Sequence, residues 1–291
     1  MDQRAATGHA ALRNDPKRSR HDARDEAILR DTMRDAVDRG EFRVYYQPIV
    51  GFARAEVVGI EALLRWEHPQ FGVLTPAQFL HLAEDTGLIV PIGSAVLHAA
   101  CRQAAQWASE ATDGPALTVS VNLSPGQVIA SDLLGTVTKA LSASGLEPRL
   151  LGLEVTEATL LDHAARCAST LHALHALGVQ LHVDDFGAHH TSLRMLRDLP
   201  VSSIKIDRSY VSGLGTNEVD GSLVAAVAAY AHAFGADVTA QGIDTARELS
   251  EVRSLGCDRG QGFYFAYPQP GEIVQALVHH RLRYRERHSA A

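Results

Sequence analysis

The stretch FRVYYQPIVGFARAEVVGIEALLRW, residues 42–66, decides the fold. It holds two apolar, β-rich runs, FRVYYQPI (42–49) and VVGIEALLRW (57–66), joined only by VGFARAE (50–56). A parallel crossover needs a dozen or more residues, so the two runs are expected to pair as an antiparallel hairpin. Six further runs follow: LTVSVNL (117–123), LGLEVTE (151–157), VQLHVDD (179–185), SSIKID (202–207), DVTAQ (237–241) and GFYFA (262–266). The segments between them carry helical spacing, as in the stripe Leu223, Val227, Tyr230 and Phe234. Eight strands alternating with helices predict an α/β (β/α)8 TIM-like barrel with an antiparallel first strand. The other reading, an open doubly wound sheet, lacks the Gly-rich phosphate loop after a strand.

The chain has 291 residues, a net charge of −7, 46% hydrophobic and 21% charged residues. That is enough apolar material for a full core. The acidic balance argues against a nucleic-acid polymer as partner. Cys101, Cys167 and Cys257 are odd in number and show no CxxC spacing. They read as buried thiols in a reducing cytoplasm and carry no zinc signature. The longest apolar run, LVAAVAAYAHAFGA (223–236), is too short to span a bilayer. The expected boundaries are a disordered tail over 1–24, a linker helix over 25–40, the barrel over 41–285 and a C-terminal tail over 286–291. Leu29, Met33, Ala36 and Val37 give the linker helix its stripe, and Gly40 ends it. Tail and helix read equally well as a link from an upstream domain or as a plain extension.

In barrels of this kind chemistry collects where the strands end. Strand two carries Glu61, strand three ends in Asn122, and strand four carries Glu154 with Glu157 just beyond. Strand five ends in Asp184 and Asp185, and strand six carries Lys205 and Asp207. Strand seven ends in Gln241, and strand eight begins just after Gln261. Any one of these acids alone reads as a solvated position or a buried ion pair. Several on one rim would repel one another, and a hard divalent cation with oxygen ligands relieves that repulsion. Asp184 and Asp185 are expected to sit where the strand frays, so that both turn to the mouth; such a pair can bridge two metals about 3.5–4 Å apart. Lys205 supplies a cation that can hold a water or offset charge on a phosphate. Arg65 lies on the same strand face as Glu61 and suits a phosphate, or else pairs with Glu67 at the surface.

GIEALLRWEHPQFG, with Glu61-Ala62-Leu63 and Arg65, resembles the signature of the EAL-domain family of cyclic di-GMP phosphodiesterases. YYQPIV, SVNLSPGQ, LEVTE, VDDFG, IKIDRS and LGCDRGQGFYFAYP fit the same family in order, over roughly residues 40 to 280. The resemblance implies a barrel with an antiparallel first strand. It implies that Glu61, Asn122, Glu154 and Asp184 hold a first Mg²⁺ or Mn²⁺. Asp184 would bridge to a second ion held also by Asp185 and by the residue at position 241. Lys205 would position the attacking water, Gln261 would support the water or metal shell, and Glu157 would anchor the loop after strand five. Substrate contacts fall at Gln47, Leu63, Arg65, Asp207 and Pro268. The family reaction opens one phosphodiester of cyclic di-GMP to give linear pGpG. A homodimer and an upstream sensory or GGDEF-like domain are further implications.

Two departures stand out. The family pattern A-E-G-V-E-T reads here Ala240-Gln241-Gly242-Ile243-Asp244-Thr245, so a glutamine replaces the second-metal glutamate. The family loop D-D-F-G-T-G-Y-S-S reads here Asp184-Asp185-Phe186-Gly187-Ala188-His189-His190-Thr191-Ser192. Gln241 keeps an oxygen but lacks the charge. The expectation is a domain that binds cyclic di-GMP with a divalent metal and hydrolyses it weakly or not at all. The alternatives are an active phosphodiesterase and a protein-interaction module that has lost the nucleotide.

Overall fold

The computed structural model describes residues 16–110, 117–130, 132–188, 193–215 and 217–279. His189 and His190 lie outside the described residues, as do residues 1–15 and the C-terminal tail at 286–291.

Ten strands follow in chain order: β1 (Phe42–Gly51), β2 (Glu56–His68), β3 (Gly72–Leu74), β4 (Thr118–Leu123), β5 (Leu151–Thr156), β6 (Gln180–Phe186), β7 (Val201–Ile206), β8 (Asp237–Ala240), β9 (Arg259–Gly260) and β10 (Gln269–Pro270). Eight of them close a ring, running β1, β2, β4, β5, β6, β7, β8, β9 and back to β1. The strands from β2 through β9 pair in parallel around the ring, whereas β1 is antiparallel to both its neighbours. The hairpin pairs Phe42 with Trp66 and Gln47 with Glu61, and Ala55 turns the corner at φ 53°. The short joint therefore has the consequence expected of it, and among the described strands of the ring β1 is the one that departs from parallel pairing. The strands β3 and β10 are short antiparallel additions to β2 and β1; neither announces itself in the sequence.

Helices cover the ring: α1 (Pro16–Asp38), α2 (Pro76–Asp85), α3 (Ile89–Glu110), α4 (Pro125–Val128), α5 (Leu133–Ser144), α6 (Glu157–Ala176), α7 (Leu193–Asp198), α8 (Arg208–Ser212), α9 (Glu218–Ala233), α10 (Ala246–Ser254) and α11 (Gly271–His279). Several start where a side chain satisfies free N–H groups. Thr156 caps α6, Asp207 caps α8, and Thr245 with Glu248 forms a capping box on α10. The first helix reaches back to Pro16 from the expected start at Asp25 and buries Leu29, Met33 and Ala36 against the body. Its Thr32 hydroxyl lies 3.2 Å from His68 Nε2 at the end of β2. Among the described residues, no helix is long and apolar enough to cross a membrane.

One strand is misplaced in the sequence reading. GFYFA was expected to be the eighth strand, but β9 is the pair Arg259–Gly260 and residues 262–265 form a bend and turn. A Cβ on Gly262 would lie 2.1 Å from the Ile243 carbonyl oxygen, and the Ala266 N–H bonds back to the Gly262 carbonyl. The chain is thus folded tightly over the end of β8. The aromatic residues of GFYFA reflect a buried Phe265 and an exposed Phe263, a case in which close packing overrides β propensity.

Candidate functional site

Parallel register brings the expected side chains to one end of the ring. Asn122 on β4 is level with Glu154 on β5, and Thr156 at the end of β5 is level with Asp184 on β6. Glu61 comes from β2 and Lys205 from β7. The Lys205 ammonium stands among three carboxylates: Glu154 Oε2 at 2.5 Å, Glu61 Oε2 at 3.0 Å and Asp184 Oδ1 at 3.5 Å. Amides close the cluster. Asn122 Nδ2 donates to Glu61 Oε1 at 2.6 Å, and Gln261 Nε2 donates to Glu61 Oε2 at 2.7 Å and to Gln47 Oε1 at 3.0 Å. Gln47 in turn donates to the Ala266 carbonyl at 2.9 Å. Gln241, just past β8, donates its Nε2 to Asp184 Oδ1 at 2.9 Å. The strand end at an amide is thus wired directly to the acid bulge of β6.

That bulge differs from expectation. Asp184 and Asp185 do not fray from the sheet. Val183 pairs with Ile204 and Phe186 with Ile206, so two acids stand opposite the single Lys205. An extra residue of this kind kinks a strand and re-aims its side chains. Asp185 takes φ 51° there, in the left-handed region. The bulge, and not a frayed strand end, sets the two adjacent acids opposite one residue of β7.

Burial and charge set the protonation of the cluster. Burial pushes Glu154 up to about 7, aided by the Glu61 charge and opposed by Lys205. Burial likewise lifts Asp184 to about 6 against the pull of Lys205, and lifts Asp185 to about 6 together with the nearby Asp184 and Asp207 charges. Burial would also raise Glu61, but the Lys205 charge and the bonds from Gln261, Lys205 and Asn122 hold it below the usual carboxylate range. Lys205 is held well above the ordinary lysine value, because Asp184, Glu154 and Glu61 outweigh its burial.

The remaining expected residues stand apart from this network. Glu157 is fully buried at the start of α6 and accepts the Gly187 N–H at 2.8 Å, so it holds the loop after β6. Leu63 and Arg65 point from β2 beyond Glu61, level with Tyr45 and Arg43 of β1. The Arg65 guanidinium lies 5.7 Å from the Tyr45 ring centre and donates to the Leu64 carbonyl. Asp207 accepts from Ser209 N at 2.9 Å as the cap of α8. Pro268 is half-buried between the turn at 262–265 and β10.

Two residues of the site were not anticipated. His182, two before Asp184 on the same strand face, is buried with Nδ1 3.7 Å from Glu154 Oε1. Burial first, then the Lys205 charge, pushes it down to about 3, so it is neutral. Strand alternation from Asp184 could have found it. Tyr210, on α8, donates its hydroxyl to the Gly187 carbonyl at 2.5 Å; no sequence spacing pointed to it.

Whether this cluster suits a divalent cation can be judged from its atoms. Among the described residues no group of three or more His, Cys, Asp or Glu side chains stands ready to hold a metal ion, because the ammonium occupies the centre. The donor set is nonetheless all oxygen and amide. Among the described residues, Glu154 Oε1 and Gln261 Oε1 are buried acceptors with no donor within hydrogen-bonding geometry. Such orphaned oxygens are costly unless something positive reaches them. The chemistry fits a hard cation.

Comparison with known proteins agrees with the architecture. The EAL domain family matches residues 30–268. The chain is 40% identical over 258 residues to the bifunctional diguanylate cyclase/cyclic di-GMP phosphodiesterase MucR of Pseudomonas aeruginosa, covering 88% of this chain and 37% of MucR. It thus spans little more than a third of that relative. A solved structure of the PaMucR phosphodiesterase in complex with c-di-GMP superposes with a TM-score of 0.81 at 40% identity, over 85% of this chain and 99% of that one. The EAL enzyme Bd1971, in its cAMP- and cyclic-di-GMP-bound form, gives a TM-score of 0.82 at 29% identity, over 88% of this chain and 69% of that one. With this barrel, this hairpin and a family match over most of its length, the chain belongs to the EAL domain family.

Proposed function

We propose that this chain binds cyclic di-GMP across the barrel mouth together with Mg²⁺ or Mn²⁺, acts in cyclic di-GMP signalling, and hydrolyses the nucleotide to pGpG weakly or not at all. The observation that carries this reading is the Gln241 Nε2 bond to Asp184 Oδ1 at 2.9 Å. The amide satisfies Asp184 by donating a hydrogen bond, where a carboxylate would have added a second negative charge. Glu61, Asn122, Glu154 and Asp184 would hold one cation, and Asp184, Asp185 and Gln241 a second. A bound cation supplies charge neutralisation and acidifies a coordinated water. Lys205 keeps its proton and can donate to a water or a phosphate oxygen from the centre of the cluster. In the cation-free site the Glu154 carboxyl, lifted to about 7, can hold a proton near neutral pH. Gln47, Leu63, Arg65, Asp207 and Pro268 would line the nucleotide, Arg65 offering its planar fork to a phosphate.

An active phosphodiesterase is the second reading, favoured by the 40% identity to the MucR phosphodiesterase. The two part on product analysis. Cyclic di-GMP is titrated calorimetrically with Mg²⁺ or Mn²⁺, and pGpG is followed by chromatography. Binding with slow turnover supports the proposal, and rapid pGpG formation overturns it. Absence of binding would leave the interaction-module reading.

A further inference from the structure

The loop that leaves β6 is held by a clasp with two sides. Gly187 lies just beyond the acid bulge, at φ 99°. Its N–H donates to Glu157 Oε2 at 2.8 Å, and its carbonyl accepts the Tyr210 hydroxyl at 2.5 Å. The Tyr210 ring also lies flush against the glycine: a Cβ there would come within 2.7 Å of ring atom Cε2. Two backbone bonds stand beside the clasp, from Asp207 N–H to the Phe186 carbonyl at 3.2 Å and from Ala188 N–H to the Asp185 carbonyl at 3.3 Å.

Tyr210 and Glu157 come from opposite neighbours of β6. Glu157 opens the helix after β5, and Tyr210 sits on the short helix after β7, the strand that carries Lys205. A residue gripped at its N–H from one side and at its C=O from the other has the peptide units before and after its Cα both held, which restrains its φ and ψ. The residue two positions back, Asp185, has a backbone in the left-handed region that a non-glycine residue leaves readily unless its surroundings hold it.

We propose that Tyr210 is a positioning residue: its hydroxyl, acting through Gly187, fixes the Asp185 carboxylate in register with Asp184 and so sets the affinity of the outer cation position. This rests on the reading of the mouth as a cation and cyclic di-GMP site. Tyr210 touches neither the nucleotide nor the ion in this account.

Tyr210→Phe removes the hydroxyl and keeps the ring. The expected result is a half-saturating Mn²⁺ concentration for cyclic di-GMP binding about tenfold higher than in the unaltered chain, the scale of one well-formed hydrogen bond. The melting temperature should stay within a few degrees of the unaltered chain's. In cation-free protein the Gly187 amide should exchange with deuterium faster than in the unaltered chain. In an Asp185→Asn background the same tyrosine change should have no further effect on Mn²⁺ dependence, because the carboxylate through which it acts is gone. Unchanged Mn²⁺ dependence in Tyr210→Phe, an undiminished effect in the Asp185→Asn background, or a large fall in melting temperature would each overturn the proposal. Absence of cyclic di-GMP binding in the unaltered chain would instead overturn the reading of the site beneath it; the Gly187 exchange rate would still judge the clasp.

Discussion

The two halves of the cluster are built differently. On the β2–β4–β5 side, Glu61 and Glu154 project from strands joined in unbroken parallel register, are almost fully buried, and meet the Lys205 ammonium at 3.0 and 2.5 Å. On the β6–β8 side, Asp184 and Asp185 stand on a bulge, Asp185 is half-buried, and the strand opposite ends in an amide. The first half is fixed by sheet register and by the bonds from Lys205, Asn122 and Gln261. The second depends on one irregular backbone step and on the contacts that hold it. Under the proposed reading, one half is rigid and the other adjustable, and the adjustable half would set cation occupancy.

The strongest test of that contrast removes the shared centre. Lys205→Met deletes the ammonium and leaves Glu61, Glu154 and Asp184 buried beside one another. Breaking a buried ion pair by removing one partner costs about 3–5 kcal/mol. Urea unfolding should show a loss of that size, with part of it recovered in millimolar Mg²⁺. A stability equal to that of the unaltered chain would mean that the carboxylates are not held by the lysine. Next in size is Gln241→Glu. A unit charge pair at 4 Å is worth on the order of 4 kcal/mol at an effective dielectric near 20. Even a part of that should lower the half-saturating Mn²⁺ concentration by about two powers of ten and raise pGpG formation strongly. No gain in turnover would shift the lesion from the amide to the loop after Gly187.

The contrast also decides what the sequence disclosed. Strand alternation is a strict rule, so Glu61, Leu63 and Arg65 could be assigned to one face of β2, and the short joint after Ile49 to a hairpin, without coordinates. The bulge was not legible. Two adjacent acids are compatible with a fraying end as well as with an inserted residue, and only the pairing of Val183 with Ile204 and Phe186 with Ile206 separates them. The eighth strand was misplaced for a related reason. GFYFA is rich in strand-forming aromatics, yet Gly262 packs where no side chain fits, and the chain turns there. Tyr210 stayed hidden because its partner is a backbone carbonyl, which leaves no trace in residue types.

A pH series sharpens the comparison further. Glu154 is lifted to about 7 and Asp184 and Asp185 to about 6, so the folded chain holds these protons more tightly than the unfolded chain does. Their contribution to stability is present at low pH and is lost as pH rises through 6 to 7. Glu61, held low, contributes in the opposite sense and loses its share as pH falls below the usual carboxylate range. His182, held neutral in the fold, also adds stability as pH rises toward its ordinary value; three groups against these two predict that the cation-free melting temperature falls between pH 5 and pH 8, by less in Glu154→Gln. Saturating Mg²⁺ should flatten or reverse the slope, since a cation binds the ionised carboxylates. Calorimetric melts at four pH values would reveal it, and a rising cation-free curve that Glu154→Gln leaves unaltered would count against the protonation assigned here.

The smallest effect on the fold is expected at the rim, at Arg65, which belongs to neither half. Its guanidinium is held by the Tyr45 ring at 5.7 Å and by the Leu64 carbonyl, and among the described residues no carboxylate bonds it. Arg65→Lys keeps the charge and discards the planar fork, a change that matters only if the fork meets a phosphate. Stability should move by no more than about 0.5 kcal/mol. Cyclic di-GMP binding should weaken about tenfold, while Mn²⁺ dependence stays as it was, because the proposed cation ligands lie deeper in the barrel. If Arg65→Lys shifted the Mn²⁺ dependence as far as a change at Gln241 does, rim and mouth would be one electrostatic unit, and the division into a rigid and an adjustable half would fail.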